Sequence, residues 1–502
     1  MSQNQSVLLL YPHQLYPVDK LPRDVDRVFM IEDPLMFGRD PKYPLFTHKQ
    51  KLVLHRASMR RYVEEVLWPA GYQVEYIEFH HMQETGDIVN KLTNIERVEF
   101  FDPTDDMLER NLTSALSGLE NKPTINKIES PNFFLTRDEV KNFFAKKDKS
   151  DFVNFYQWQR ERFNILIDQE SYKPVGGKLM HEPKSHKRLS AEFVLPTFEV
   201  YGGNKFVDEA KDYVHKYFPD NAGSVEDFPW PTNHKEASDW LDDFLTNRLR
   251  DFAIYEEAID GQAPWVFHSA ISPVLNIGLL DPMEVVERAV KLHNETAQPL
   301  ESLEKFIRDI LGWREFARGL YVDKQVKIRT INTFDHQRHL TNDWYTANTG
   351  VKPLDDVIKK VLSRGYAHAV ERSMILGNIM FLSEIHPDDM YRWFMEMFVD
   401  AYDWAVVPNV YSIGQLQDIN LSKPNVSSSN YILSMSWYER DEWADVWDGL
   451  YWEFISNNSD LFSKNAQTRM LVHQLERVPE NRRRIAKYRA EDFLREKTAY
   501  YI

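Results

Sequence analysis

The sequence predicts a parallel α/β domain in the N-terminal part of the chain, followed by a large domain built only of helices. Short apolar, β-rich runs at residues 7–11, 28–31, 72–77 and 98–101 indicate buried strands. A segment with helical periodicity, 48–68, separates the second run from the third. Strand, helix and strand in that order are typical of a parallel sheet. Beyond about Asn233, almost every segment has the pattern of a helix.

The chain divides into three regions by composition. We expect an α/β domain over 1–140, a linker over 141–232 and a helical domain over 233–502. Within the linker, a helical stretch at 152–168 is followed by a segment that prolines and glycines keep irregular, such as Pro174 and Gly177. This irregular segment is also basic, with Lys178, Lys184, Lys187 and Arg188.

Length and hydropathy favour a soluble globular protein. The 502 residues are 43% apolar and 27% charged, and no apolar run approaches the roughly 18 residues of a membrane span. The first residues lack the basic region of a signal peptide, and their apolar run is too short for one. We therefore expect a monomeric cytoplasmic protein without membrane association.

Charge and cysteine content exclude further classes. The net charge of −16 argues against a protein that coats nucleic acid through a basic surface, although a local basic patch remains compatible with it. Because the sequence has no cysteine, it has no disulfides, no cysteine-ligated zinc and no iron–sulfur cluster. The phosphate-binding loop, the nucleophile elbow, the zinc-protease motif and the nicotinamide glycine motif are also absent, and the sequence predicts no metal site.

Polar residues inside apolar helices are the remaining candidates for chemistry. His268, Ser269 and Ser272 precede a helical run and suit a pyrophosphate, although Ser before Pro is also an ordinary helix start. Trp313 and Arg318 lie in a helix whose charges also form simple intrahelical pairs. Further on, Arg372, Asn378, Asp400 and Asn409 lie among apolar residues. A buried Arg and Asp form either a core ion pair or a fixed charge pair beside a redox cofactor.

Five motifs resemble the photolyase and cryptochrome superfamily in order and spacing. They are FHSAIS, ILGWREFARGLY, AHAVERSMILGN, YRWFMEMFVDAYDWAVVPN and LSKPNVSSSNYI. The chain is most similar to the prokaryotic photolyase-related branch, which includes bacterial 6-4 photolyases. PVGGK in the linker and HKQK at 48–51 fit that branch. The resemblance is strongest over about 218–454.

The resemblance implies an antenna-type α/β domain and a helical domain that binds flavin adenine dinucleotide (FAD). His268, Ser269 and Ser272 would contact the phosphates, with Trp313 and Arg318 nearby. Arg372, Asn378, Asp400 and Asn409 would surround the ring and the ribityl chain. Trp393 would donate electrons during photoreduction, and Trp344, Tyr345 and Tyr402 would extend the path; simple packing is the alternative for these three. UV-damaged DNA would be held by Arg160, Arg162, Lys178, Lys184 and Lys423, with Tyr431 near the lesion.

The chain departs from the branch at several positions. Pro353, Glu439, Glu442 and Asp445 stand where relatives have the cysteines of an iron–sulfur cluster, and the aromatic residues Trp437, Tyr438, Trp443 and Trp447 are candidates to fill its volume. Two adjacent histidines normally face the lesion, but here His368 is followed by Ala369. Val406 replaces a polar or acidic residue opposite the flavin. A 6,7-dimethyl-8-ribityllumazine antenna is expected at His13, Glu32 and the 48–51 segment.

Three functions follow from these features. The favoured one is a light-driven DNA photolyase that repairs pyrimidine 6-4 photoproducts, with His368 as the proton donor. A cryptochrome-type photoreceptor without repair activity is the alternative, favoured by Ala369, Val406 and the negative charge. A flavin-binding scaffold that does not use light is the least favoured.

Overall fold

A five-stranded parallel sheet forms the N-terminal part of the protein. The computed structural model describes residues 5–146, 151–190, 195–197, 199–414, 426–464 and 469–500. The strands are β1 Gln5–Leu10, β2 Arg27–Ile31, β3 Val74–Ile77, β4 Ile95–Phe101 and β5 Thr124–Ile128. Their order is β3-β2-β1-β4-β5, and all neighbouring strands run parallel.

Burial explains which strands the sequence could predict. β1 is central, and Val7, Leu8, Leu9 and Leu10 are all completely buried, as expected of a parallel strand covered on both faces. The four predicted strands are present. β5 was not predicted because it is an edge strand whose first four residues are exposed and mostly polar, so it lacks the apolar run that marks a buried strand.

Helices cover the sheet and continue into the linker. They are α1 Lys49–Tyr62, α2 Asp106–Ser117, α3 Arg137–Phe144, α4 Phe152–Phe163 and α5 Lys205–Tyr217. The predicted 48–68 helix corresponds to α1 and a π-helical turn, Val63–Leu67. The predicted 152–168 helix stops earlier, at Phe163, because Asn164 adopts the left-handed conformation that commonly ends helices.

The rest of the described chain is almost entirely helical. The helices are α6 His234–Asn247, α7 Leu249–Tyr255, α8 Ser272–Asn276, α9 Pro282–Thr296, α10 Leu300–Ile307, α11 Glu315–Lys324, α12 Asp343–Thr346, α13 Lys352–Arg364, α14 Asn378–Leu382, α15 Pro387–Met397, α16 Asp403–Pro408, α17 Ser429–Met435, α18 Glu442–Asn457, α19 Ser459–Lys464, α20 Arg469–Glu476 and α21 Glu480–Lys497. Two short strands, β6 His339–Leu340 and β7 Thr498–Ala499, pair antiparallel. None of the described helices is long and apolar enough to cross a membrane.

Two long helical segments in the C-terminal part are interrupted. In the 386–409 segment, the helix breaks after Met397 and resumes at Asp403. Phe398 is extended in this break, and Asp400 accepts hydrogen bonds from other segments there. The C-terminal segment is divided by Pro479 into α20 and α21, since proline is tolerated at a helix start but not inside a helix.

A buried ion pair ties the sheet to the helices beside it. Arg56 of α1 donates to Glu32 at 2.7 Å, and these side chains are 3% and 0% exposed. Glu32 also accepts hydrogen bonds from the hydroxyls of Tyr76 and Tyr213. Since Tyr213 belongs to α5, this carboxylate joins α1, β3 and the helix that follows the linker loop.

We predict that Arg56→Met lowers the free energy of unfolding by about 3 kcal/mol, because it leaves a buried carboxylate without its cation. Chemical denaturation followed by circular dichroism measures this change. The control is Arg60→Met, which removes a partly exposed ion pair with Glu78 and should cost at most about 1 kcal/mol. Equal effects of the two substitutions would contradict the argument.

Candidate cofactor and substrate site

A cavity of about 300 Å³ lies in the helical domain, between the segments around residues 369–381 and 390–414. Its wall is mostly apolar, with Phe381, Met390, Phe394, Phe398 and Val406 among the lining residues. Arg372 and Asp400 also contribute to the wall. An apolar cavity with a few fixed polar groups is the usual form of a small-molecule site, and this volume is at the lower end of the range for such sites.

Two π-helical segments form much of this wall. Glu371–Gly377 supplies Arg372, Ser373 and Gly377, and Asn409–Ile413 supplies Asn409, Val410 and Ile413. π-helical turns are rare and are often found at functional sites. Sequence periodicity does not reveal them, because one additional residue per turn looks like ordinary irregularity in an amphipathic pattern.

Arg372 and Asp400 form a two-point ion pair at the cavity. The two guanidinium nitrogens of Arg372 donate to the two carboxylate oxygens of Asp400 at 2.9 and 3.0 Å. The Ser272 hydroxyl donates to Asp400 at 2.5 Å, and the Asn276 side chain donates to its backbone carbonyl at 3.0 Å. The planar guanidinium lies 4.1 Å from the centre of the Phe398 ring.

This geometry combines the two interpretations that the sequence left open. The pair is a structural ion pair, because both partners are satisfied. It also faces the cavity, since the Arg372 side chain keeps 24% of its surface exposed and both residues line the wall. A fixed positive group beside an apolar cavity stabilises negative charge on a bound ring.

Asn378 and Asn409 have different surroundings. Asn409 is exposed, lines the cavity and donates to the carbonyl of Ala405 at 2.8 Å. Asn378 is 1% exposed. Its amide donates to the backbone and hydroxyl oxygens of Ser427, both at 3.1 Å. Asn378 therefore fixes the start of the α17 region to the cavity wall and is not one of the lining residues.

The expected phosphate-binding residues only partly approach the cavity. Ser272 reaches it through Asp400, whereas the carbonyl of Ser269 accepts a hydrogen bond from Trp240. Trp313 stacks on Phe152, with ring centroids 3.7 Å apart. Arg318 is completely buried and donates to the Leu135 carbonyl at 2.5 Å. The structure thus differs from the expectation for Trp313 and Arg318, because their contacts are with α4 and the N-terminal region.

His268 and His368 form a buried stacked pair beneath the wall. Their ring centroids lie 4.3 Å apart at 12°, and neither ring nitrogen of His368 has a hydrogen-bond partner among the described residues. Burial lowers the pKa of His268 to about 4 and lowers the pKa of His368 well below its usual value. His368 is 0% exposed, whereas the next residue, Ala369, lines the cavity.

Charged groups surround this histidine pair. Glu371, also 0% exposed, is paired with Lys360, and its second oxygen is 3.5 Å from Nε2 of His368. Burial raises the pKa of Glu371. Lys360 and Arg372 both oppose protonation of His368. In this arrangement His368 is neutral and does not reach the cavity.

The predicted electron path begins one ring behind the cavity wall. Trp393 is completely buried, and its ring centroid lies 5.5 Å from Phe394 and 5.8 Å from Phe398, both of which line the cavity. Its indole N–H donates to the carbonyl of Trp344 at 3.1 Å. Tyr345 follows Trp344 in the chain and is partly buried. Tyr402 turns away from this path, because its hydroxyl pairs with His55 at 2.8 Å.

Comparison with known proteins relates this chain to photolyases. The family model described as deoxyribodipyrimidine photo-lyase-related protein matches residues 8–230. A (6-4) photolyase from Agrobacterium fabrum is 29% identical over 468 residues, which are 89% of this chain and 91% of that protein. The chain is thus similar to photolyase-related proteins over its N-terminal part and to a (6-4) photolyase over most of its length.

Solved structures agree with this similarity at the level of the fold. A bacterial class III photolyase from Agrobacterium tumefaciens has a TM-score of 0.57 and 16% identity, with 97% of this chain and 92% of that chain covered. A cryptochrome from Synechocystis sp. PCC6803 has a TM-score of 0.58 and 15% identity, with 98% and 100% covered. The parallel sheet followed by helices is therefore the photolyase fold, as the sequence predicted.

Most of the aromatic residues that the sequence suggests as substitutes for the missing cluster pack against one another. Trp443 and Trp447 are buried with ring centroids 6.0 Å apart, and Tyr438 lies 6.1 Å from Trp443. Trp437 is the exception, because 52% of it is exposed. With no cysteine in the sequence, a cysteine-ligated cluster is excluded.

The residues predicted to bind DNA do not form one set. The prediction for Arg160 is wrong: it is completely buried and donates to the carbonyls of Ile165, Leu166 and Leu179. Arg162 is exposed but paired with Glu139. Lys178 and Lys184 are exposed, and Lys423 lies outside the described residues. Tyr431 is partly buried, and burial together with the neighbouring Glu257 carboxylate raises its pKa.

A second cavity, of about 430 Å³, lies between the N-terminal domain and the helical domain. Lys51 and Tyr402 line it, together with Asp105, Arg329 and Asp403. Burial lowers the pKa of Lys51 to about 8 and raises that of Asp105 to about 7. Of the predicted antenna residues, Lys51 reaches this cavity, whereas Glu32 is enclosed by Arg56 and two tyrosines, and His13 is buried against the Pro103 carbonyl.

Several residues of the site were missed by sequence reasoning. Asn276 donates a hydrogen bond to the backbone carbonyl of Asp400. Ser373 adds a polar side chain to the cavity wall. Phe394 and Phe398 separate Trp393 from the cavity. The signal for Asn276 was a lone polar residue in an apolar run; the two phenylalanines could not be distinguished from core residues.

We predict that the His268–His368 pair makes the protein sensitive to acid. Between pH 6.5 and about 4 the unfolded chain takes up protons that the buried imidazoles do not, so stability is present above pH 6.5 and is lost as the pH falls. His368→Phe keeps a planar ring but cannot be protonated, so the fall in unfolding free energy over this range should become smaller.

Urea denaturation at a series of pH values measures this effect. The control is His473→Phe, at a side chain that is 61% exposed, which should leave the pH dependence unchanged. If His368→Phe and the parent had an identical pH dependence, burial would not lower the pKa of His368.

Proposed function

We propose that this protein is a light-driven flavoprotein that binds FAD in the helical domain and repairs pyrimidine 6-4 photoproducts in UV-damaged DNA. The observation that carries the proposal is the Arg372–Asp400 pair, fixed by Ser272 and facing an apolar cavity. When bound, reduced FAD supplies an electron after it absorbs blue light. The residues described below would bind and orient the FAD and exclude water from it.

The cavity residues fit a flavin by the chemistry of their side chains. Arg372 offers a guanidinium that Asp400 keeps in one orientation, which favours an electron-rich ring nearby. Phe381, Phe394 and Phe398 supply apolar surface that excludes water. Val406 adds an apolar contact on the same wall, so the charge beside the ring would come from the Arg372–Asp400 pair.

Trp393 is proposed as the electron donor that restores the reduced state. It is completely buried, lies behind Phe394 and Phe398, and reaches Trp344 through a hydrogen bond. Lesion recognition would require a nucleotide to leave the duplex, which costs least at a damaged pair. For the antenna pigment, which remains a prediction, we propose the cavity that contains Lys51 and Tyr402.

The choice of lesion depends on a proton. Reversal of a 6-4 photoproduct moves a proton as well as an electron, and the sequence predicts His368 as its donor. The name of the Agrobacterium fabrum relative supports this lesion. For His368 to act, however, it must leave its stack with His268, because the described wall presents Ala369 instead.

This arrangement favours the second candidate function, a cryptochrome-type photoreceptor. In that case the same photoreduction would switch a protein interaction and no lesion would be repaired. The observation in its favour is the enclosure of His368 behind Ala369. A structural neighbour described as a cryptochrome has a TM-score similar to that of the photolyase, so the fold alone does not distinguish the two functions.

We expect the purified protein to contain FAD and to photoreduce it under blue light. Trp393→Phe should keep the flavin bound and slow photoreduction at least tenfold, because phenylalanine is far harder to oxidise. Absorbance spectroscopy during illumination measures the rate. Trp230→Phe is the control: Trp230 is also completely buried but lies near Gln50, so its replacement should leave the rate unchanged. Release of no flavin on denaturation would contradict the proposal itself.

We expect 6-4 oligonucleotides to be repaired under blue light and His368→Ala to abolish that repair while photoreduction continues. Chromatography of the digested product measures the outcome, and a cyclobutane dimer oligonucleotide is assayed in parallel. Since splitting a cyclobutane dimer requires only an electron, dimer repair that is insensitive to His368→Ala would move the assignment to that lesion. Photoreduction without repair of either lesion would favour the photoreceptor.

A further inference from the structure

The basic loop of the linker carries positive charge that no carboxylate of the described residues neutralises. Lys178, Lys184 and Lys187 are exposed, and none of them pairs with a carboxylate within the ranges that the structure describes. Other surface lysines differ: Lys205 pairs with Glu64 at 2.5 Å and Lys235 with Asp239 at 2.6 Å. In a chain of net charge −16, this is a local site for a polyanion.

The loop is fixed to the helical domain. The backbone N–H of Lys187 donates to the Ile254 carbonyl at 2.9 Å. Leu189 is 6% exposed and packs in a small apolar cluster with Ala258, Val266 and Phe267. These contacts hold the backbone at residues 187–189 against the helical domain.

Arg188 and Trp437 form an exposed stack at the end of this loop. The guanidinium carbon of Arg188 lies 3.9 Å from the centre of the Trp437 ring. The indole N–H donates to the Leu189 carbonyl at 2.8 Å, yet 52% of Trp437 remains exposed. A large aromatic side chain held open to solvent beside cations is the arrangement that proteins use to stack on nucleic-acid bases.

The position of the stack relates it to the cavity. Asn378 follows the wall residue Gly377 and holds Ser427. Helix α17, Ser429–Met435, leads from there to Trp437. A helix of seven residues is about 10 Å long, which matches roughly three nucleotide steps along a DNA strand.

We propose that Lys184, Lys187 and the Arg188–Trp437 stack hold the DNA beside the nucleotide that enters the cavity, with Trp437 stacking on an unpaired base. This inference rests on the proposed function. A nucleotide that leaves the duplex deprives its neighbours and its partner of stacking, and an exposed indole replaces that contact. The lysines neutralise the adjacent phosphates.

The stacking part is tested with Trp437→Ala and a duplex oligonucleotide that contains a defined 6-4 photoproduct or cyclobutane dimer. Fluorescence anisotropy should show binding about tenfold weaker than in the parent. Trp437→Phe also loses the hydrogen bond to Leu189 but keeps a ring, and it should retain most of the affinity. The control is Trp68→Ala: Trp68 is 57% exposed but belongs to the α/β domain.

The charge part is tested by the salt dependence of binding. The double variant Lys184→Gln/Lys187→Gln should lower the slope of log affinity against log salt by about 2, since each lost phosphate contact removes about 0.9. Lys205→Gln/Lys235→Gln changes the net charge equally and should leave the slope unchanged.

Two results would overturn the proposed surface: an effect of Trp437→Ala no larger than that of Trp68→Ala, or equal slopes in the two lysine variants. Flavin content and photoreduction, measured on the same samples, should not change. A parent protein that photoreduces flavin but binds no damaged DNA would overturn both the surface and the repair function. A parent that binds DNA with unaffected variants would overturn the surface alone.

Discussion

Asp400 is the residue on which the organisation of the site depends. Its carboxylate receives Arg372 from one segment and Ser272 from another, and its backbone carbonyl receives Asn276. These contacts explain why α15 cannot continue into α16: a regular helix through residue 400 would leave Arg372 without its partner. A charge at 5% exposure is tolerated only with such partners.

The stacked rings of His268 and His368 also hold together the segments that meet at Asp400. His268 precedes Ser272 by four residues, and His368 precedes Arg372 by four. Their contact therefore joins the two segments whose ends meet at Asp400. Because a charged imidazole would be repelled by Lys360 and Arg372, the pair is stable only while both rings are neutral. Support of the cavity wall requires His368 to be neutral, whereas donation of a proton to a substrate requires it to carry that proton.

The fold was largely predictable from the sequence, and the site was predictable only in part. Apolar strands and amphipathic helices produce periodic signals, so four strands of the sheet and α1 were foreseen, while the exposed edge strand β5 gave no such signal. Arg372 and Asp400 were found because charges among apolar residues are rare. Arg160 was equally conspicuous but binds backbone carbonyls, a role that sequence cannot distinguish from phosphate binding. The positions of Trp313, Arg318 and His368 depend on tertiary packing.

The π-helical turns in the cavity wall affect how this protein can change during evolution. Each turn accommodates one residue more than an α-helix of the same height. Deletion of one residue from a regular α-helix would rotate everything that follows by about 100° about the axis. Deletion of one residue from 371–377 would instead remove the extra residue and restore α-helical spacing, so Asn378 would keep its orientation toward Ser427. The wall can therefore change in length by one residue at this turn without losing the attachment of α17.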